Sequence, residues 1–228
     1  MIKIKDFIRF LKKPTYQVQQ DKISITQTFK ILFYWFLISY FIYFVMIFFR
    51  ISLYFLTLLP QQSDLTRKVP LSFYVLIFIP LCEELIFRIS LRYSKLNLSI
   101  TFASIIFLAS HKIIDLNYLN SAIVSIVSFL LCYFFLFKKL NEQKLNHFWE
   151  KNIVIFFYFS SLLFGILHLT NFVDLKFIHF LLFPVLVGDQ IIGGLILGYL
   201  RLSLKNGIIY SILLHILIDL PILLIKLN

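Results

Sequence analysis

Charge is scarce in this chain, and cysteine scarcer. Asp, Glu, Lys and Arg together make up 14% of the 228 residues, and the only cysteines are Cys82 and Cys132. Both stand in apolar stretches, with neither disulfide nor zinc-ligand spacing. No tandem repeat and no long low-complexity linker interrupts the chain. No cleavable leader is expected, because residues 1–27 are polar and lack the apolar core that one needs. What fills the chain is hydrocarbon: it is 60% hydrophobic, with a mean hydropathy of +0.90. Soluble domains are about 45–50% apolar, so the composition is that of a polytopic helical membrane protein forming one membrane domain.

The net charge of +11 raises a nucleic-acid partner and then excludes it. The basic residues are spread over several short segments between apolar runs and form no single patch. The expected crossings are 29–49, 71–91, 98–114, 119–137, 152–172, 178–200 and 206–225, each near the ~20 residues that span a ~30 Å core. With the N-terminus in the cytoplasm, all but Arg50, Arg67, Lys68, Lys112, Lys176 and Lys226 of the 22 lysines and arginines fall on the inner side. That bias supports this orientation and an odd number of crossings. The fold expected is an all-α, polytopic transmembrane bundle of about seven spans. It has a basic cytoplasmic segment over 1–28 and a membrane domain over 29–228. Ile2, Ile4, Phe7, Ile8 and Leu11 fall near helical spacing, so residues 1–27 read either as an amphipathic surface helix or as a tail. The stretch Ile51 to Leu59 either extends the first span or lies at the interface. Gly194 and Gly198 have the spacing that lets helix backbones approach closely.

The chain is organised around Cys82-Glu83-Glu84-Leu85-Ile86-Phe87-Arg88. Charge at membrane depth costs a few kcal/mol or more per group unless it is paired or wetted. Glu84 and Arg88, four residues apart, share a helix face and can pair. Glu83 is rotated away by about 100° and faces another neighbour. Pro80 removes a helix hydrogen bond and is expected to kink the segment, opening room for water. A structural ion pair with Arg88 accounts for one carboxylate and leaves the other without a partner. Further polar groups lie inside apolar runs: Phe164-Gly165-Ile166-Leu167-His168, and the i,i+4 pair His215 and Asp219. These groups are expected to meet in one cavity. His111 is read as interfacial, His147 as solvated, and His179 and Asp189 as structural or cavity-lining.

Glu83-Glu84-…-Arg88, Phe164-…-His168 and His215-…-Asp219, in that order on separate helices, resemble the motif set of the CPBP intramembrane proteases, also called the ABI or type II CAAX prenyl endopeptidase family. The resemblance covers residues 71–225, and Gly193 to Leu200 is also similar to the family. It departs in two places. The gap from Glu83 to His168 is long, with a nearer Phe107-…-His111 in reserve, and Asp219 stands where prenyl endopeptidases usually carry Asn.

The resemblance implies peptide hydrolysis within a multi-pass protein of the cell membrane, on a membrane-associated protein or peptide substrate. Glu83 would be general base on a water held by His168, and Glu84 and Arg88 would orient Glu83. His215 and Asp219 would stabilise the oxyanion. No cofactor is expected. Zinc on Glu83, His168 and His215 is the disfavoured variant, since none of the zincin spacings is present. A non-catalytic immunity or scaffold protein of the same family and a small-solute transporter are the competing classes. One difficulty is geometric: the expected spans place Glu83 and His168 at depths differing by roughly 12 Å.

Overall fold

The computed structural model describes residues 3–16, 23–56, 58–62, 74–112, 114, 116–136 and 141–225. The start of the expected second span, 71–73, lies outside the described residues, as do Lys22, Arg67, Lys68, Asp115, Phe137, Lys138, Lys139 and Lys226. The fold is overwhelmingly helical. Among the described residues one β-ladder is present, pairing β1 (Gln61–Gln62) with β2 (Phe172–Val173), antiparallel.

Helix α1 (Ile4–Lys12) precedes α2 (Ile25–Phe55). Ser24 opens α2 with a capping box: its hydroxyl accepts from the Gln27 amide, and the Gln27 side chain returns to the Ser24 N–H. Thus Ile51 onward extends the first helix to Phe55. Helix α1, within the described part of that segment, is neither a tail nor wholly a surface helix. Phe7 and Phe10 are buried, with ring centroids 5.3 Å (Phe7 to Trp35), 5.2 Å (Phe10 to Phe157) and 4.9 Å (Phe10 to Tyr199) apart. Aromatic burial of this kind is worth several kcal/mol.

A wide π-type turn (Tyr74–Phe78) leads into α3 (Ile79–Phe87), which gives way to a 3-10 turn (Ile89–Leu91). Next come α4 (Lys95–Lys112), α5 (Tyr118–Leu131), a polar α6 (Glu142–Lys151) and α7 (Ile153–Leu167). The run expected as one crossing over 178–200 is divided into α8 (Phe177–Leu181), α9 (Phe183–Leu186) and α10 (Gly188–Ser203). Pro184 in the first turn of α9 has no N–H to continue the preceding turn. Last is α11 (Gly207–Ile225), with Pro221 inside it.

By length and hydropathy, Ile25–Phe55 and Ile153–Asn171 suffice to cross a membrane, while Lys95–His111, Tyr118–Phe134 and Gly207–Pro221 are shorter apolar helices. Phe29, Phe33, Phe41, Phe44 and Phe48 of α2 and Leu119, Ile123 and Ile126 of α5 point outward. That exposure suits acyl chains rather than water.

Helices α7 and α10 approach closely because glycine lines their contact. A Cβ on Gly165 would stand 2.3 Å from the Ile191 side chain, one on Gly194 3.2 Å from Ser161 Cα, and one on Gly198 2.9 Å from the Phe157 ring. This tight pair brings the end of α7 beside α3.

Candidate active site

Three elements carry the site. Pro80 sits in the first turn of α3, directly after the wide π-type turn and with Phe78 itself in helical conformation. The helical run is therefore irregular where Pro80 withholds its N–H. Three residues on, the chain places Glu83 and Glu84 in unlike surroundings: the Glu83 side chain is 23% exposed and that of Glu84 0%.

Glu84 is fully engaged. Its Oε1 accepts from His215 Nδ1 at 2.9 Å and its Oε2 from the Ser211 hydroxyl. Arg88 Nη1 stands 3.4 Å from Oε1, an ion pair at the expected i,i+4 spacing. Arg88 is itself completely buried, with its Cζ 4.1 Å from the centre of the Phe164 ring and 5.5 Å from that of Phe87. The guanidinium is thus held by one carboxylate and by ring faces. Gly194 leaves the room it occupies: a Cβ there would lie 3.2 Å from Nη2.

Ser211, His215 and Asp219 form one i, i+4, i+8 row on α11. Since a carboxylate accepts, His215 Nδ1 carries a proton toward Glu84. Its Nε2 then faces Glu83 Oε2 at 3.4 Å and Asp219 Oδ2 at 3.7 Å. These separations are beyond a good hydrogen bond and close enough for charge to act between the groups. Asp219 is the more exposed, at 34%.

His168 lies where α7 tightens into a 3-10 turn (His168–Asn171). Its Nδ1 donates to the Phe164 carbonyl at 2.8 Å, which leaves Nε2 as the acceptor of the neutral ring. Phe164 links the groups: its ring centroid is 4.7 Å from that of His168 and 5.7 Å from that of His215.

The depth difficulty is smaller than the expected spans imply. Ser160 donates to the Phe87 carbonyl at 2.5 Å, which sets the level of α7 against α3. From there His168 lies about 12 Å along α7 and Glu83 about 6 Å along α3, in the same direction. The difference in level along the two helices is then about 6 Å, half of that expected. The α3 helix and its 3-10 turn together end at Leu91, the expected end of the second span.

His111 is elsewhere. Its Nδ1 meets the Leu116 carbonyl at 2.9 Å, and its ring rests 4.2 Å from that of Tyr118. His179 is buried and accepts from the Lys176 amide, Asp189 pairs with Arg50, and His147 lies on the exposed α6. Sequence reasoning missed Ser211, which one more step of four back from His215 finds. It also missed the ring contacts of Phe164 and the pair formed by Arg50 and Asp189.

Residues 65–221 match the family model described as type II CAAX prenyl endopeptidase Rce1-like. The chain belongs to this family. No curated protein and no solved structure matches it. The Rce1-like family is membrane-embedded and of protease type, and the matched span contains α3, α7 and the part of α11 that bears Ser211, His215 and Asp219.

Proposed function

We propose that this Rce1-like chain is an intramembrane endopeptidase that hydrolyses membrane-associated or prenylated-type peptides through Glu83. The observation that carries this reading is the convergence of two separate helices on one imidazole. Glu84 fixes His215 Nδ1, while Glu83 and Asp219 stand open on the Nε2 side. Glu83 takes a proton from water held with His168 Nε2, and the hydroxide adds to the scissile carbonyl. The oxyanion is met by His215 Nε2–H, and Glu83 passes its proton to the leaving amine as the C–N bond breaks. Asp219 orients and charge-balances His215; ionised, it has no proton to donate. Arg88 and Phe164 hold Glu84 and the two histidines in register. The N-terminus is cytoplasmic in this reading, and the chain sits in the cell membrane.

The route uses no metal. None of the zincin spacings is present in the sequence. Chelation is expected to leave cleavage intact; loss on chelation with recovery on zinc would replace this route by a zinc-bound water.

The deciding experiment is peptide cleavage by protein reconstituted in vesicles, wild type against Glu83→Gln, read by mass spectrometry. A loss of about 10²-fold or more is expected. Equal biological activity of the two forms without cleavage would point to a scaffold or immunity protein, and solute flux without cleavage to a transporter.

A further inference from the structure

The end of the acid-bearing helix is gripped from outside. A helix leaves its last carbonyls without intrahelical partners, and here each carbonyl from Phe87 to Arg92 meets a side-chain donor. Ser160 reaches Phe87 O at 2.5 Å, Trp149 reaches Ser90 O at 2.7 Å, Tyr16 reaches Leu91 O at 2.9 Å and Asn97 reaches Arg92 O at 2.7 Å. The two carbonyls between belong to Arg201. Its Nε donates to Arg88 O at 3.1 Å and its Nη2 to Ile89 O at 3.0 Å. The grip is returned. Arg92, at the end of the gripped turn, donates through Nη2 to Leu202 O at 2.9 Å and Leu204 O at 2.8 Å, and through Nη1 to Lys205 O at 3.2 Å.

Two helix ends therefore exchange arginines. Among the described residues neither Arg92 nor Arg201 forms an ion pair with a carboxylate, and Arg201 is only 6% exposed. A buried cation without an anion is costly; here only the negative ends of two helices answer it. A neutral side chain would serve packing at lower cost. Directly after the clasp comes α11. Gly207 lies so close that a Cβ would stand 2.3 Å from Leu200 O and 2.6 Å from Arg201 Cα. The clasp thus joins the start of the Ser211–His215–Asp219 helix to the end of the Glu83–Glu84 helix.

We propose that Arg201 and Arg92 are positioning residues: their exchanged grip sets how α3 stands against α11, and so how Glu83 and Glu84 stand against His215. This rests on the endopeptidase reading given above. The test is Arg201→Lys, which keeps the charge but replaces the rigid planar fork by one ammonium nitrogen, beside Arg92→Lys and the double variant. Each is measured per folded molecule on one membrane peptide, with wild type and Glu83→Gln as controls. A fall in kcat of about tenfold or more with KM within about twofold is expected. The double variant is expected to lose about as much as either single one, because releasing either hand opens the clasp. The imidazole titration of His215, followed by NMR, is expected to move by more than ~0.5 pH unit.

Lower Tm with wild-type kcat and an unmoved His215 midpoint would reduce the arginines to structural residues and overturn the proposal. So would a change in KM alone, or fully additive losses. If Arg201→Lys does not accumulate folded, the more exposed Arg92→Lys carries the same readouts. If folded wild type cleaves nothing, or Glu83→Gln cleaves equally, the endopeptidase reading falls, and the His215 midpoint still decides the clasp.

Discussion

Glu83 and Glu84 are neighbours in sequence, yet one residue of helix gives them different work. Glu84 turns inward to Ser211, His215 and Arg88, while Glu83 turns toward the open side of His215. Removing Glu84 would leave Arg88 buried with its charge answered only by ring faces. Glu84→Ala is expected to cost about 3–5 kcal/mol, measured by unfolding in detergent. A wild-type transition would show that the pair contributes little. The pairing of Glu84 with Arg88 was legible because four-residue spacing fixes a shared face. So was the His215 and Asp219 row. Ser211 was passed over although it stands one step of four before His215 on the same face, since a serine in an apolar helix draws notice only once its partner is known. The role of Arg201 was not legible for a related reason: in sequence it is one more cation at the end of an apolar run, and only the fold shows it turned inward onto carbonyls.

At the scale of elements, the site depends on α7 lying close to α10. The Cβ test separates two glycines of similar appearance in sequence. Gly165 faces Ile191, whereas a Cβ on Gly193 would meet nothing within 4 Å. Gly165→Val is expected to lose about 1–3 kcal/mol through overpacking. Gly193→Ala is expected to hold or gain up to about 1 kcal/mol from helix propensity. Thermal unfolding of the two variants side by side checks this, and equal losses would refute the close approach at Gly165. The small-residue spacing of Gly194 and Gly198 announced the contact. The division of 178–200 into three helices was not announced by hydropathy, because breaks at Leu182 and Val187 leave the apolar average intact. Pro184 was the available mark. Likewise α3 is short because its start is a wide turn and its end is captured by side chains from α7, α6, α4 and α10, contacts distant in sequence.

For the whole molecule, the N-terminal segment acts as a strap. Tyr158 donates to the Leu11 carbonyl, and Tyr16 ties the segment to Leu91. Burial first, and the Glu150 carboxylate second, raise the Tyr16 hydroxyl from 10.0 to about 12. Only the protonated form donates. The strap's contribution is therefore complete below about pH 10 and is lost as pH climbs toward 12. Limited proteolysis near residues 13–16 is expected to accelerate across that window in wild type. In Tyr16→Phe it is expected to be fast throughout; an identical rise in both would remove Tyr16 from the account. Withdrawing the buried Arg88 and Arg201 from the count still leaves the excess of basic residues on the side proposed as cytoplasmic.

One further consequence follows from α2. Its 31 residues measure about 46 Å end to end, against a hydrocarbon slab of ~30 Å. Outward-facing Phe, Leu and Ile run from Phe29 to Leu56, about 41 Å of greasy rod. Upright, that rod would hold roughly a quarter of its length out of the oil; sheltering all of it takes a lean near 40°, the steep limit for such helices. Longer acyl tails relieve the mismatch, so this protein is expected to melt at higher temperature in thick-tailed vesicles than in thin ones, and to gather in the thicker patches of a mixed membrane.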